Sequence, residues 1–261
     1  MPRRPRVCAA NTCFHVLNRA VARLPLFEKL EDYEAFERVL QEACERESIP
    51  IYAYCIMPNH WHFVVCPETK DQLTDFFRWL THTHTMRWHA HHHTEGTGHL
   101  YQGRFKTFPI EDDEHLLAVL RYVERNSVRA NLCKRAEDWK YGSAWRKNNG
   151  DANQQKILSK WPIPRPRSWL AYVNEAQSAS ELEAIRRSVV RGTPYGSESW
   201  VTQSAARLQL KHTLRPKGRP KSLSLSTKPK KKNELRPLFA FCDKDIELTW
   251  RKKFSAKVSK W

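Results

Sequence analysis

The spacing of apolar residues changes period several times in the first half of the chain. Residues 12–18, Thr-Cys-Phe-His-Val-Leu-Asn, mix β-branched and aromatic residues in rough alternation and predict a short strand. Over 31–48, Tyr33, Phe36, Val39, Leu40, Ala43 and Cys44 fall three and four residues apart behind an acidic first turn, which predicts an amphipathic helix. Two β-rich runs, 49–57 and 61–66, are split by Pro58-Asn59-His60 and predict a hairpin. Helical spacing returns over 70–88 through Leu73, Phe76, Phe77 and Leu80, then gives way to a His- and Gly-rich stretch expected to be a loop. Residues 100–110 predict another strand. Asp112 and Asp113 predict the cap of a helix over 113–127, whose buried face is Leu116, Leu117, Val119, Leu120 and Val123.

The order strand, helix, strand, strand, helix, strand, helix predicts an α+β fold: a ferredoxin-like βαββαβ antiparallel sheet with helices on one face. Composition shifts to Asn, Gln, Gly and Asp near residue 150, which marks an expected end to a first domain, 1–150. Residues 151–210 regain helical spacing through Trp169, Tyr172, Val173, Leu182, Ile185 and Val189, then Trp200, Val201, Ala205 and Leu208, and predict a small helical domain. Residues 211–261 are expected to form a basic, largely disordered tail, because 211–232 holds nine Lys or Arg, no acidic residue and little apolar surface to bury.

Charge sharpens this division. The net charge of +17 is spread as +2 over residues 1–150 and +15 over 151–261. An excess so placed points to a polyanionic partner, contacted in part by the second half. No apolar run reaches the ~18 residues of a membrane span and no apolar leader core follows Met1, so a cytoplasmic protein is expected, with no membrane partner. The seven cysteines form no CxxC and read as reduced thiols, Cys55 and Cys66 being the pair placed to meet across the hairpin. Gly96-Thr97-Gly98 lacks the third glycine and the following helix of a dinucleotide loop.

Two places in this framework carry candidate chemistry. His60 and His62 stand at i and i+2 at the head of a strand, so both imidazoles share one face and can serve one metal ion; His82 with His84 and the His91-His92-His93 run have the same spacing without that setting. Tyr122 stands one turn before Asn126 on the 113–127 helix, where a phenol and an amide oxygen can reach the same phosphate and metal. A satisfied histidine pair and a core tyrosine remain the alternatives on spacing alone.

Taken together, Met57-Pro58-Asn59-His60-Trp61-His62 and Leu120-Arg121-Tyr122-Val123-Glu124-Arg125-Asn126 resemble the single-tyrosine HUH transposases. Within that family they look most like the REP-associated tyrosine transposases. The resemblance also takes in Phe14-His15-Val16-Leu17-Asn18-Arg19, Tyr101 to Lys106, Pro194-Tyr195-Gly196-Ser197 and Arg215 to Pro220, and so covers residues 12 to about 221. It implies a metal-dependent strand transferase for single-stranded or hairpin-forming repetitive DNA. In that scheme Tyr122 is the nucleophile that forms a 5′-phosphotyrosine intermediate, and His60, His62 and Asn126 hold Mg²⁺ or Mn²⁺. Relatives work as dimers, so a homodimer is among the assemblies implied. Many relatives carry Gln as the third ligand where this chain has the shorter Asn126, and Ser127 stands where the nearest subgroup has Pro.

The expected DNA contacts are Arg104 and Lys106 as backbone-tracking cations, Tyr101 and Phe105 as base-stacking rings, and Arg215, Lys217, Arg219 and Lys221 as a basic arm. Two rival functions follow from the same residues: a domesticated DNA-binding protein that no longer cuts, and a metal hydrolase that uses water in place of Tyr122.

Overall fold

The computed structural model describes residues 8–215. Four strands, β1 Cys13–Arg19, β2 Ile51–Met57, β3 His60–Val65 and β4 Lys106–Ile110, form one antiparallel sheet in the order β2-β3-β1-β4. This is the strand order of the expected split βαβ plan. Helices α1, Leu30–Arg46, and α2, Gln72–His92, pack against each other between the strands they connect. Next come α3, Glu114–Glu124, and the short α4, Asn126–Arg129. Six further helices follow: α5 Ser143–Asn149, α6 Ala152–Gln155, α7 Trp169–Asn174, α8 Ala179–Arg191, α9 Glu198–Arg207 and α10 Lys211–Leu214.

Helices α1 and α2 share one face of the sheet, as the βαββαβ reading expects. Trp61 of β3 stacks on Phe77 of α2 at 5.6 Å and lies 6.3 Å from Phe36 of α1. The opposite face is not left to solvent: α3 crosses it, packing on β2 and β3, so a sheet expected to carry helices on one side is covered on both. The strand sequences explain this. Every residue of β2 and β3 is buried, which a sheet with one wet face does not allow.

The hairpin forms with a two-residue turn, Pro58-Asn59, and pairs Met57 with His60 and Cys55 with His62. Cys66 therefore does not face Cys55, and both are free thiols. Three boundaries differ from the sequence reading. α2 runs on to His92, because Trp88 donates its indole N–H to the Leu26 carbonyl and stacks on His92 at 4.1 Å; His93 then stops the helix at a left-handed φ of 52°. The strand expected over 100–110 is regular only from Lys106, with Tyr101 making a single bridge to Ala20. The 113–127 helix breaks at Arg125 into α3 and α4.

The described residues through Leu214 cluster as one compact unit, so the packing does not divide at residue 150. α7 and α8 lie against α3 and α8 also against β4, and Trp161 donates to the Tyr52 carbonyl of β2. The segment at Tyr195 extends the sheet edge beside β4 through Tyr195 N–H to Pro109 O and Glu111 N–H to Tyr195 O. Gly196 permits that close approach, since a Cβ there would stand 2.6 Å from the Glu111 carboxylate that receives the Ser197 N–H. Lys217, Arg219 and Lys221 and the tail beyond them lie outside the described residues. Among the described residues no helix is long and apolar enough to cross a membrane.

Candidate active site

Alternation along β3 sends Trp61 and Phe63 to the α1–α2 side and His60 and His62 to the α3 side. The two imidazoles lie 5.0 Å apart, centroid to centroid, and both are buried. Burial holds their pKa values well below the ordinary histidine value, and the Arg19 and Arg129 guanidinia push in the same direction. Both rings are therefore neutral at physiological pH, which is the form that ligates a metal.

The hydrogen bonds also fix which nitrogen of His60 is available. Asn59 donates its amide Nδ2 to the Arg23 carbonyl, so its Oδ1 faces His60 Nδ1 at 2.6 Å and can only accept. A neutral imidazole carries one proton, so His60 bears it on Nδ1 and Nε2 keeps a lone pair. His62 Nδ1 lies 2.8 Å from Nε2 of His15, a β1 residue that is fully buried and stacked on Phe108 at 4.8 Å. Burial lowers the His15 pKa to about 3, so this pair too is neutral. If His62 is the donor, its Nε2 is left unprotonated on the same side as that of His60.

Tyr122 stands on the buried face of α3, its ring 6.0 Å from His62 and 6.2 Å from His15. The Arg129 guanidinium of α4 lies over the Tyr122 ring, 4.2 Å from its centroid, and also donates to Asn126 Oδ1. The structure thus brings His60, His62 and Tyr122 to one face and joins Asn126 to Tyr122 through Arg129. It does not set Asn126 at the expected i+4 place on one continuous helix, because the break at Arg125 makes it the first residue of α4. Its Nδ2 is buried without a hydrogen bond while its oxygen is held by Arg129.

The helix that presents Tyr122 is anchored from outside the sheet. Buried Glu124 accepts from Trp169 Nε1 at 2.7 Å and Ser143 Oγ at 2.7 Å, and burial raises its pKa against those bonds. Arg121 and Arg125 donate to the carbonyls of Glu175, Ala176, Val173 and Asn174 at the end of α7. Cations at a helix C-terminus are favourably placed, so α7 and α3 brace each other.

The expected DNA contacts separate by burial. Tyr101 and Phe105 are core residues, which corrects their reading as base-stacking rings. The Tyr101 hydroxyl accepts from Trp61 Nε1 and bonds His84 Nδ1, and Phe105 packs 5.4 Å from Phe77. Stacking on a base would require both to leave a filled interior. Arg104 and Lys106 are exposed beside β4, the edge strand, and Arg215 is exposed at the end of the described chain. His15 lies in one of the resembling motifs and Arg129 three residues past Asn126, and neither has a role on spacing alone; only the β1–β3 register and the turn into α4 place them at the site.

Two other groups of side chains could hold a cation: Asp32 with His91 and His92, and Glu111 with Asp113 and His115. In the second, the carboxylates already receive Ser197 N–H, Ser197 Oγ, His115 N–H and the His115 ring.

Comparison with known proteins shows what the chain resembles. Residues 8–126 match the model described as Transposase IS200 like. A Haemophilus influenzae protein classed as a candidate REP-associated tyrosine transposase is 28% identical over 124 residues, covering 44% of this chain and 70% of its own length. Among solved structures, a REP-associated tyrosine transposase bound to a REP hairpin matches with TM-score 0.46 and 17% identity, covering 64% of this chain and 95% of that one. A candidate transposase from Deinococcus radiodurans matches with TM-score 0.33 and 16% identity over 47% of this chain and 96% of its own. The family match spans both histidines of β3, Tyr122 and Asn126, so over residues 8–126 this chain is similar to the IS200-like transposases.

Proposed function

We propose that the protein is a metal-dependent strand transferase acting on single-stranded, hairpin-forming DNA, with Tyr122 as nucleophile. The observation that carries this reading is the shared face of Tyr122, His60 and His62, closed over by Arg129. The Tyr122 phenol oxygen attacks the scissile phosphorus after its proton passes to solvent, and the P–O3′ bond breaks. The departing O3′ takes up a proton from solvent and leaves as a 3′-hydroxyl, and a 5′-phosphotyrosine link remains. Reversal by another 3′-hydroxyl rejoins the strand without an energy source. Arg129 brings a positive charge to the side of Tyr122 where the phosphate must sit.

His60 and His62 suit a divalent ion through Nε2: both rings are neutral, and Nδ1 of each is engaged. Asn126 can add its oxygen once Arg129 turns from it to the phosphate, which would exchange one partner of the guanidinium for another. A bound Mg²⁺ or Mn²⁺ supplies Lewis-acid polarisation of the phosphate. Two imidazoles favour Mn²⁺ over Mg²⁺. Arg104 and Lys106 on the β4 edge, with the basic segment from Arg215 onward, are proposed to track the DNA backbone. A homodimer is compatible with this reading.

The test is incubation of the protein with labelled hairpin-bearing single strands and Mn²⁺, followed by a denaturing gel. A covalent protein–DNA adduct that disappears in Tyr122→Phe is expected. Cleavage surviving in Tyr122→Phe with no adduct would replace the reading by a water-using hydrolase, and binding without cleavage would leave only a DNA-binding protein.

A further inference from the structure

Asp32 lies in the first turn of α1, and His91 and His92 lie in the last turn of α2, where the two helices meet on the side of the sheet away from Tyr122. One ligand atom of each comes within 4.8 Å of the others. Asp32 is buried, and its Oδ2 accepts the backbone N–H groups of Glu28 and Lys29 at 2.8 and 2.9 Å. Those bonds fix the carboxylate and leave Oδ1 turned toward His92. The ring of His92 is held by stacking on Trp88 at 4.1 Å with an interplanar angle of 23°.

Oδ1 of Asp32 and Nε2 of His92 are 3.5 Å apart, and Nε2 is buried without a hydrogen bond. A charge-assisted hydrogen bond between these groups would draw them to about 2.7–2.9 Å. Two ligands at 2.0–2.1 Å from a tetrahedral ion stand about 3.3 Å apart, close to what is seen. The exposed His91 gives the site an entrance, and the outward carbonyls at the end of α2 place partial negative charge beside it.

We propose that Asp32, His91 and His92 form a second metal site, separate from the His60–His62 pair, for a zinc-class transition ion, with water as the fourth ligand. Two imidazoles and one carboxylate are the donor set of open zinc sites and a poor match to Mg²⁺. The ion would fasten the start of α1 to the end of α2. It would also steady the segment between, where Leu26 and Phe27 donate to the Pro58 carbonyl in the turn that leads into His60. The inference does not depend on the DNA chemistry proposed above.

The experiment uses the full chain carrying His60→Ala and His62→Ala, stripped with chelator and titrated with Zn²⁺ by calorimetry. One equivalent is expected to bind and to raise the melting temperature. Adding His91→Gln and His92→Gln is expected to weaken binding about tenfold or more and to abolish the thermal shift. Asp32→Asn, whose amide oxygen can still accept the two backbone N–H groups, should weaken binding to a similar degree. Absence of Zn²⁺ binding in the folded His60→Ala, His62→Ala protein would overturn the site, and so would binding that His91→Gln and His92→Gln leave unchanged.

Discussion

Trp61 and Phe63 on one side of β3, and His60 and His62 on the other, are interleaved on six residues and equally buried. The first side closes on rings: Trp61 on Phe77, Phe63 on Phe77 and on Tyr54 at 5.5 Å, with the single indole N–H satisfied by Tyr101. The second side closes on imidazoles, a phenol and a guanidinium, with His15 Nδ1 and Asn126 Nδ2 beside them buried without a hydrogen bond. Burial alone therefore does not separate core from site. What separates them is whether the polar atoms find their partners within the fold.

The comparison can be broken at either side. On the polar side, Tyr122→Phe is expected to reduce strand cleavage by about 10³-fold or more, as loss of a nucleophile does, with folding free energy changed by no more than about 1 kcal/mol. Gel-resolved adduct formation and urea unfolding of the same sample check the two halves. On the apolar side, Trp61→Ala should cost about 3–5 kcal/mol of stability through the cavity it leaves, while the fraction that remains folded at low temperature still forms the adduct.

His15 sits between the two, buried like a core residue but bonded to His62. His15→Phe keeps the stack on Phe108 and should raise the Mn²⁺ concentration needed for half-maximal cleavage about 10–100-fold, with less effect at saturating metal. Equal loss at all metal concentrations would make His15 a packing residue only.

His84 tests the apolar side with pH. Burial lowers its pKa from 6.5 to about 3, so the unfolded chain binds the extra proton first as pH falls. The stability that depends on neutral His84 is fully present above pH 6.5 and is lost progressively below it, by about 1.4 kcal/mol per pH unit until about pH 3. His84→Phe should flatten that slope by this amount in urea midpoints between pH 7 and 4.5.

Much of the fold was readable because period and turn chemistry agree. The alternation in β1, the Pro58-Asn59 turn and the stripe of α1 each identify an element and its buried side. The extent of α2 was hidden because its last turn is stabilised by Trp88 and His92 rather than by an apolar stripe. The break at Arg125 carries neither Gly nor Pro to announce it. At the site, His60, His62 and Tyr122 were marked by spacing and motif. His15 is 47 residues from its partner, and only strand register joins them. Tyr101 and Phe105 look the same in sequence whether they stack on bases or on Phe77 and Trp61; the fold spends them inside.

The two-residue turn between β2 and β3 has a consequence for how such a chain can change over time. Side chains on a strand alternate with a period of two, so one residue gained or lost at Pro58-Asn59 that slipped β3 by one place would exchange its faces. Trp61 and Phe63 would arrive beneath Tyr122, and His60 and His62 among the rings of α1 and α2. Point substitutions in β3 can be sampled one at a time, whereas a change in turn length would remove the site and the core together. Descendants of this sequence are thus free to drift in strand composition long before they can drift in the length of that turn.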